Sequence, residues 1–169
     1  GNDAITLGAS GNTVILAGVE TLTGGSGNDA ITLGNRSVTI TIGGIETLMG
    51  GTGADWISLQ DGGQTVNSLS RVETLIGGSG NDSVTLGNSG NTVILASIET
   101  LAGGTGSDWI TLGGRGNTTT FSGIETLIGG AGNDAITLGA SGNTVILAGV
   151  ETLSGGAGND LITLGARGG

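Results

Sequence analysis

The stretch GNDAITLGASGNTVILAGVETL occupies residues 1–22 and occurs again, unchanged, at residues 132–153. Degenerate copies fill the interval, and each copy begins at a Gly-x-Asp sequence. The units are residues 1–26, 27–52, 53–79, 80–105, 106–131 and 132–157, followed by a partial unit at 158–169. A fixed period of this size is typical of solenoids, whose units bury their apolar faces only by stacking on one another. We therefore expect residues 1–169 to form a single repeat domain.

Each unit contains three short apolar stretches separated by Gly, Asn and Ser; in the first unit they are residues 4–7, 13–16 and 19–22. Runs of this length between turn residues predict strands rather than helices. The sequence thus predicts an all-β parallel β-solenoid with three strands in each coil of about 26 residues, and about six and a half coils. Residues one unit apart, such as Ile5 and Ile31, would then stack on each other.

Two local irregularities also lead to predictions. Val19 and Leu22 are three residues apart and cannot both face inward on a regular strand, so we expect a bend at Glu20 or Thr21. The third unit has one residue more than the others, and we expect a β-bulge at residues 67–68 to absorb it.

The composition excludes several classes of function. The chain has 39 glycines, no Cys, no His and no Lys, which removes disulfides, zinc sites of the His/Cys type and catalytic triads. A formal charge of −10 disfavours nucleic acid as a partner. The apolar runs are far shorter than the ~20 residues that a membrane-spanning helix needs, so no membrane insertion is expected. Because the sequence opens without Met and closes partway through a repeat, we expect a segment of a longer protein.

Every full unit ends in a turn of the form GGxGxD. The six turns are residues 24–29, 50–55, 77–82, 103–108, 129–134 and 155–160. With the strand that follows, they match the pattern GGxGxDxUx, in which U is a large aliphatic residue. Because six copies occur at a fixed phase, the chain resembles the RTX family of calcium-binding β-rolls.

The resemblance implies one Ca²⁺ between consecutive turns, bound by Asp side chains and turn carbonyls, in a solenoid that is right-handed as in the family. The implied ligands are Asp3, Asp29, Asp55, Asp82, Asp108, Asp134 and Asp160, with the turn glycines Gly25, Gly27, Gly51, Gly53, Gly78, Gly80, Gly104, Gly106, Gly130, Gly132, Gly156 and Gly158. Asp3 lies in a turn that lacks its leading Gly-Gly. Family members repeat the nonapeptide back to back and bind calcium on both edges, whereas here each acidic turn stands alone in its unit. We therefore expect about five or six Ca²⁺ ions along one edge of a three-faced solenoid.

The residues support calcium binding independently of the resemblance. Stacked at ~4.8 Å along one edge, the aspartates would repel one another, and a divalent cation would reverse the sign of that interaction. Folding and calcium binding should then be coupled.

Simpler interpretations compete with these. The Asp of each turn could merely cap backbone N–H groups. A second acidic ladder, from Glu20 to Glu151, precedes the metal turns, and hydrogen bonding to the neighbouring corner or exposure is favoured over ligation.

Trp56 and Trp109 face outward and could stack on a sugar or on a neighbouring rod. Since the same acids recur in every unit, a single catalytic site, and hence an enzyme, is not expected.

These features predict a calcium-binding structural or adhesive segment of a large secreted or cell-surface bacterial protein. RTX resemblance implies export by type I secretion and folding outside the cell, where calcium is abundant. The alternatives are an adhesin face that binds ice or a glycan, and a non-catalytic module of a secreted enzyme. Open solenoid ends favour end-to-end or lateral self-association.

Overall fold

A computed structural model describes residues 1–165, so the last four residues of the partial seventh unit lie outside the described part. Nineteen strands and no helix occur in this part, and accordingly it has no helix able to span a membrane. Ten strands form one parallel sheet: β1 Ala4–Thr6, β3 Thr21–Thr23, β5 Thr39–Gly43, β7 Trp56–Leu59, β9 Thr74–Ile76, β11 Thr92–Ala96, β13 Trp109–Leu112, β15 Thr126–Ile128, β17 Thr144–Ala148 and β19 Leu161–Leu164. Nine strands form the other: β2 Thr13–Leu16, β4 Ala30–Leu33, β6 Thr47–Met49, β8 Thr65–Ser70, β10 Ser83–Leu86, β12 Thr100–Ala102, β14 Thr118–Ser122, β16 Ala135–Leu138 and β18 Thr152–Ser154.

The chain alternates between the two sheets, strand by strand, and each strand pairs with the strands two before and two after it. One coil is therefore one strand from each sheet and the two corners that join them. The predicted all-β parallel β-solenoid is confirmed. The predicted three strands per coil and six and a half coils are wrong, because nineteen strands at two per coil make about nine and a half coils.

The register shows why the three-faced prediction failed. Ile5 pairs with Leu22, and Leu22 with Ile42, all in the ten-stranded sheet. Ile31, the residue predicted to stack on Ile5, lies in the other sheet beside Val14. The third apolar stretch of each unit forms a full member of a sheet, so three strands make one and a half coils. Successive units consequently start on opposite sheets.

The core is a layer of aliphatic side chains between the two sheets, among them Leu22, Ile57, Leu75 and Ile110, which are entirely buried. The strands alternate, as in Thr118–Ser122, between inward buried and outward exposed residues, as a half-buried strand must. At both edges the corners also bury an aliphatic side chain, such as Ile98.

Both predicted irregularities are confirmed. Val66 pairs with Val84 and Leu69 with Leu86, so residues 67–68 oppose a single residue of β10. Between Val19 and Leu22 the chain bends at Glu20 and the strand starts at Thr21.

Candidate metal centre

The aspartates of the GGxGxD turns lie on both edges of the roll. We call the corners that precede strands of the ten-stranded sheet the first edge, and those that precede strands of the nine-stranded sheet the second edge. The first edge holds Asp3, Asp55, Asp108 and Asp160, and the second holds Asp29, Asp82 and Asp134. The predicted single edge is therefore wrong, because one unit is one and a half coils.

Aspartates on the same edge are also far apart. Asp55 precedes β7 and Asp108 precedes β13, and these strands are three places apart in their sheet. At ~4.8 Å per strand, the two turns are separated by about 14 Å. One ion cannot bridge them, so the prediction of an ion between consecutive GGxGxD turns is wrong as well.

Two coils lie between successive aspartates of one edge, and other residues occupy the equivalent corner position in those coils. Going along an edge, each Asp after Asp3 has an Asn, Gln or Val one coil before it, and each Asp before Asp160 has a Glu one coil after it. On the second edge the order is Asn12, Asp29, Glu46, Gln64, Asp82, Glu99, Asn117, Asp134, Glu151. On the first edge it is Asp3, Glu20, Val38, Asp55, Glu73, Asn91, Asp108, Glu125, Asn143, Asp160. Each edge thus carries a repeating polar triplet.

The preceding coil donates two hydrogen bonds to the buried Asp. Oδ1 of Asp29 accepts from the backbone N–H of Asn12 at 2.8 Å and from its side-chain Nδ2 at 2.7 Å. Asp108, Asp134 and Asp160 have equivalent pairs of bonds from the Asn one coil earlier. The side chains of five turn aspartates, Asp29, Asp55, Asp82, Asp108 and Asp134, are at most 1% exposed. Capping of backbone N–H groups, the simpler interpretation of this residue, is therefore a real part of its role.

The following coil supplies a carboxylate that binds the Asp backbone. Oε2 of Glu46 accepts from the N–H of Asp29 at 2.8 Å, and Glu125 accepts from Asp108 at 2.7 Å. All six glutamates of the ladder make this bond. The predicted hydrogen bond from the Glu ladder to a neighbouring corner is confirmed, and it also places a second carboxylate one coil from each turn Asp from Asp3 to Asp134.

The pKa values of Asp29 and Asp82 depart from the ordinary value in opposite directions. The side-chain bond from Asn12, more than offsetting burial, lowers the pKa of Asp29. At Asp82 the residue beneath is Gln64, whose side-chain nitrogen donates to the Gly62 carbonyl instead. There burial, reinforced by the negative charge of Glu99, raises the pKa of Asp82 despite the Gln64 backbone N–H, which donates to Oδ1 at 2.7 Å and lowers it.

The turn glycines hold the two coils in close contact. An added Cβ at Gly103 would lie 1.7 Å from the carbonyl oxygen of Gly123 in the next coil. Gly27 has φ of 133°, a conformation that side-chain-bearing residues rarely adopt. The predicted glycines thus lie in the same turns as their aspartates, and Gly25 contributes its N–H to Asp29 Oδ2 at 3.1 Å.

Calcium requires six to eight oxygen ligands. Side chains of the described residues supply only some of these oxygens, so backbone carbonyls would supply others. No cluster of three or more acidic residues able to hold a metal occurs in residues 1–165. Oδ2 of Asp82 and of Asp108 is fully buried and accepts no hydrogen bond. A buried carboxylate oxygen without a partner is costly unless a cation or donor satisfies it. One Asp, the Glu of the next coil and turn carbonyls therefore form a donor set that fits a hard cation.

The Asn and Gln residues of the triplet were missed by the sequence analysis, and so was the pairing of Asp with Glu. The available signal was a spacing of 17, as between Asn12, Asp29 and Glu46. LGASGNTVI at residues 7–15 aligns with GGSGNDAIT at 24–32, with Asn12 in the place of Asp29. Each unit is thus three degenerate repeats of eight or nine residues, of which one keeps the acidic turn.

The fold and site define a parallel β-roll with Gly-rich acidic turns on both edges. The model of one protein family, the RTX calcium-binding nonapeptide repeat, matches residues 16–35, 40–63, 70–97, 95–117, 119–148 and 147–166. These segments cover most of the chain, which therefore belongs to the RTX calcium-binding repeat family. Repeats of this family bind calcium and occur in secreted bacterial proteins. No curated protein and no solved structure matches the chain.

Proposed function

We propose that this chain is a calcium-stabilised β-roll that serves as a structural segment of a larger secreted protein. The observation that carries the proposal is the pairing of an Asp carboxylate, buried in every pair except that of Asp3, with a Glu carboxylate one coil away. Six such pairs occur in the described residues: Asp3 with Glu20, Asp29 with Glu46, Asp55 with Glu73, Asp82 with Glu99, Asp108 with Glu125 and Asp134 with Glu151.

The electrostatics of these pairs favour a divalent cation. Two carboxylates in neighbouring coils repel each other, and at Asp82 this repulsion adds to burial in raising the pKa. A bound Ca²⁺ would reverse the sign of the interaction at each pair. With three pairs on each edge, six ions would add +12 to a chain whose formal charge is −10.

We assign the ligands of each ion to one Asp, the Glu of the next coil and carbonyls of the Gly-rich turns. The ions would lie on both edges, three coils apart on each. Since the Asn–Asp–Glu hydrogen bonds already join every coil, calcium would add stability to coils that are partly held by the protein itself.

The segment would be extracellular and non-catalytic. Low calcium inside the cell would leave the carboxylate pairs uncompensated during export, and higher calcium outside would favour the folded roll. Because the same triplet recurs along both edges, no one pair is distinguished as a catalytic centre.

Calcium titration with a matched pair of variants tests the proposal. We expect the purified chain to bind about six Ca²⁺ by equilibrium dialysis and to gain strand signal and thermal stability as calcium is added. Asp108→Asn, which removes one buried carboxylate, should lower the number of ions by one. Asp61→Asn, at an exposed acid outside the GGxGxD turns, should leave it unchanged. Binding of no calcium at millimolar concentration would refute the proposal, and equal loss in both variants would refute the ligand assignment.

A further inference from the structure

The two outward faces of the roll carry no charge. Within residues 1–165, every Asp, Glu and Arg lies in a corner, and no strand contains one. A partner of either face would therefore be recognised without ion pairs. Anionic polymers and phosphate surfaces, which proteins bind through Lys and Arg, do not fit such a face.

The two faces differ in the size of their side chains. On the nine-stranded sheet, small hydroxyl residues form an unbroken column over six neighbouring strands. This column is Thr65, Ser83, Thr100, Thr120, Thr137 and Ser154. The ten-stranded sheet instead exposes four large apolar side chains over the corresponding coils, and each of them is about half exposed. They are Trp56, Ile94, Trp109 and Ile146.

The two tryptophans are held at a fixed separation on this sheet. Trp56 pairs with Thr74, Thr74 with Ile94, and Ile94 with Thr111, two residues after Trp109. The rings are thus three strands apart along the roll and two residues apart along the strands, or about 16 Å. Ile94 and threonine hydroxyls occupy the space between them.

A groove of about 590 Å³ runs from Trp56 across this face to the corner that follows β13, and Trp109, at the start of β13, is not part of its lining. Its lining includes Thr74, Ile94 and the corner Gly113–Gly114–Arg115. Arg115 is the one charged residue in the lining, and its guanidinium offers several hydrogen-bond donors to neutral oxygen acceptors. The groove therefore combines an aromatic platform, hydroxyl groups and a fork of N–H donors.

We propose that this face of the ten-stranded sheet binds a neutral polysaccharide, which stacks on Trp56 and Trp109 and hydrogen-bonds to the intervening Thr residues. An extended chain of sugar rings offers apolar ring faces and hydroxyl edges with no charge, which matches the side chains present. The fixed separation of the two rings selects a polymer of several sugar units over a single sugar.

A second copy of the chain fits the face less well. From β7 to β19 the face measures about 34 Å by 13 Å, or roughly 450 Å². A stable protein interface buries about 800 Å² on each partner. Two copies would also each carry a formal charge of −10. A neutral polysaccharide does not need a protein-sized interface and carries no charge that would repel the chain.

Affinity electrophoresis and fluorescence test the proposal on the whole chain in millimolar calcium. Laminarin, hydroxyethylcellulose and dextran serve as neutral probes, and alginate as the anionic control. Because Trp56 and Trp109 are the only tryptophans, intrinsic fluorescence reports on the site directly. We expect at least one neutral probe to retard the protein and to shift its emission, whereas alginate does neither.

Variants then locate the site. Each of Trp56→Ala and Trp109→Ala should weaken binding about tenfold, the loss expected for one aromatic stacking contact. Trp56→Phe should retain most of the affinity. Met49→Ala, which removes an exposed apolar side chain from the other sheet, should bind as the wild type does. Circular dichroism shows whether each variant keeps its fold.

Three outcomes would overturn the proposal. These are failure of every neutral probe to bind, equal binding by the Trp variants and Met49→Ala, and concentration-dependent self-association that Trp109→Ala abolishes. The last would assign the face to a second copy. None of these results bears on calcium binding, so the two proposals fail separately.

Discussion

Asn117 lies one coil before Asp134 and donates two hydrogen bonds to the same carboxylate oxygen, one from its backbone N–H at 2.9 Å and one from Nδ2 at 2.8 Å. Nδ2 also donates to the carbonyls of Gly113 and Arg115, and Oδ1 accepts from the N–H of Ser97. One side chain thus joins its own corner to the coils on both sides. Both Asn117 and Asp134 are almost fully buried.

Asn117→Ala should therefore destabilise the roll by about 1–3 kcal/mol, because it leaves a buried carboxylate oxygen and a backbone carbonyl with fewer donors. Asn88→Ala is the matched control, since Asn88 is exposed and its side chain makes no hydrogen bond within residues 1–165. Urea denaturation at fixed calcium measures both. If the two variants have the same midpoint, the Asn side chain does not stabilise the coil junction.

The packing of the metal turns predicts a strong difference between two glycines. An Ala at Gly103 would place Cβ 1.7 Å from the Gly123 carbonyl oxygen and 2.8 Å from Asp108 Oδ2, and both belong to groups that cannot move freely. We expect Gly103→Ala to cost about 3 kcal/mol or more, since the two coils must separate. Gly114→Ala meets nothing within 4 Å and should change stability little. Thermal melting compares them, and a similar loss in both would contradict this account of the turn.

The sequence was sufficient to predict strands, corners and their parallel stacking, but the predicted three strands per coil were wrong. The period of 26 residues is the distance between identical sequences, whereas the coil is set by which strands pair. The stretch at residues 21–23 is short, and its bend at Glu20 makes it look like a corner. Because it pairs fully with β1 and β5, the coil closes after two strands.

The candidate metal site was likewise predicted only in part from the sequence. The GGxGxD motif was enough to find Asp29 and its glycines, because that chemistry is local to one turn. The partners of Asp29, which are Asn12 and Glu46, depend on the coil length: Asn12 was given no role, and the hydrogen bond predicted for the Glu ladder was not assigned to an Asp. A residue's neighbours across a solenoid follow from the register, and a motif by itself does not specify it.

Asp61 gives a pH dependence outside the GGxGxD turns. The hydroxyl and then the N–H of Ser79 donate to its Oδ1 at 2.8 and 3.0 Å, and these bonds lower the pKa of Asp61 below its ordinary 3.8. A lowered pKa in the folded state means that the carboxylate stabilises the fold above pH 3.8. This contribution is lost as the pH falls through the folded-state pKa.

Ser79→Ala should raise the pKa of Asp61 towards its ordinary value, and the backbone N–H should prevent a full return. Ser26→Ala is the control, because Ser26 occupies the same place in another turn and donates to the Ala9 carbonyl. A carboxyl carbon titration by NMR gives the pKa in each variant. An unchanged value in Ser79→Ala would show that the hydroxyl bond has no effect.

Two residues with positive φ lead to the last prediction. Arg71 and Ser97 both have φ of 54°, and they occupy the corner position that Gly18, Gly44 and Gly123 fill in other units. This backbone conformation destabilises a side-chain-bearing residue by roughly 1 kcal/mol or more, whereas glycine adopts it without that cost. Arg71→Gly and Ser97→Gly should therefore each stabilise the roll by up to about 1 kcal/mol, after the greater flexibility of unfolded glycine is subtracted. Arg36→Gly, at a corner residue without positive φ, should be neutral or destabilising. Urea denaturation of the three variants decides the matter, and a loss of stability in Arg71→Gly would mean that the arginine side chain outweighs its backbone strain.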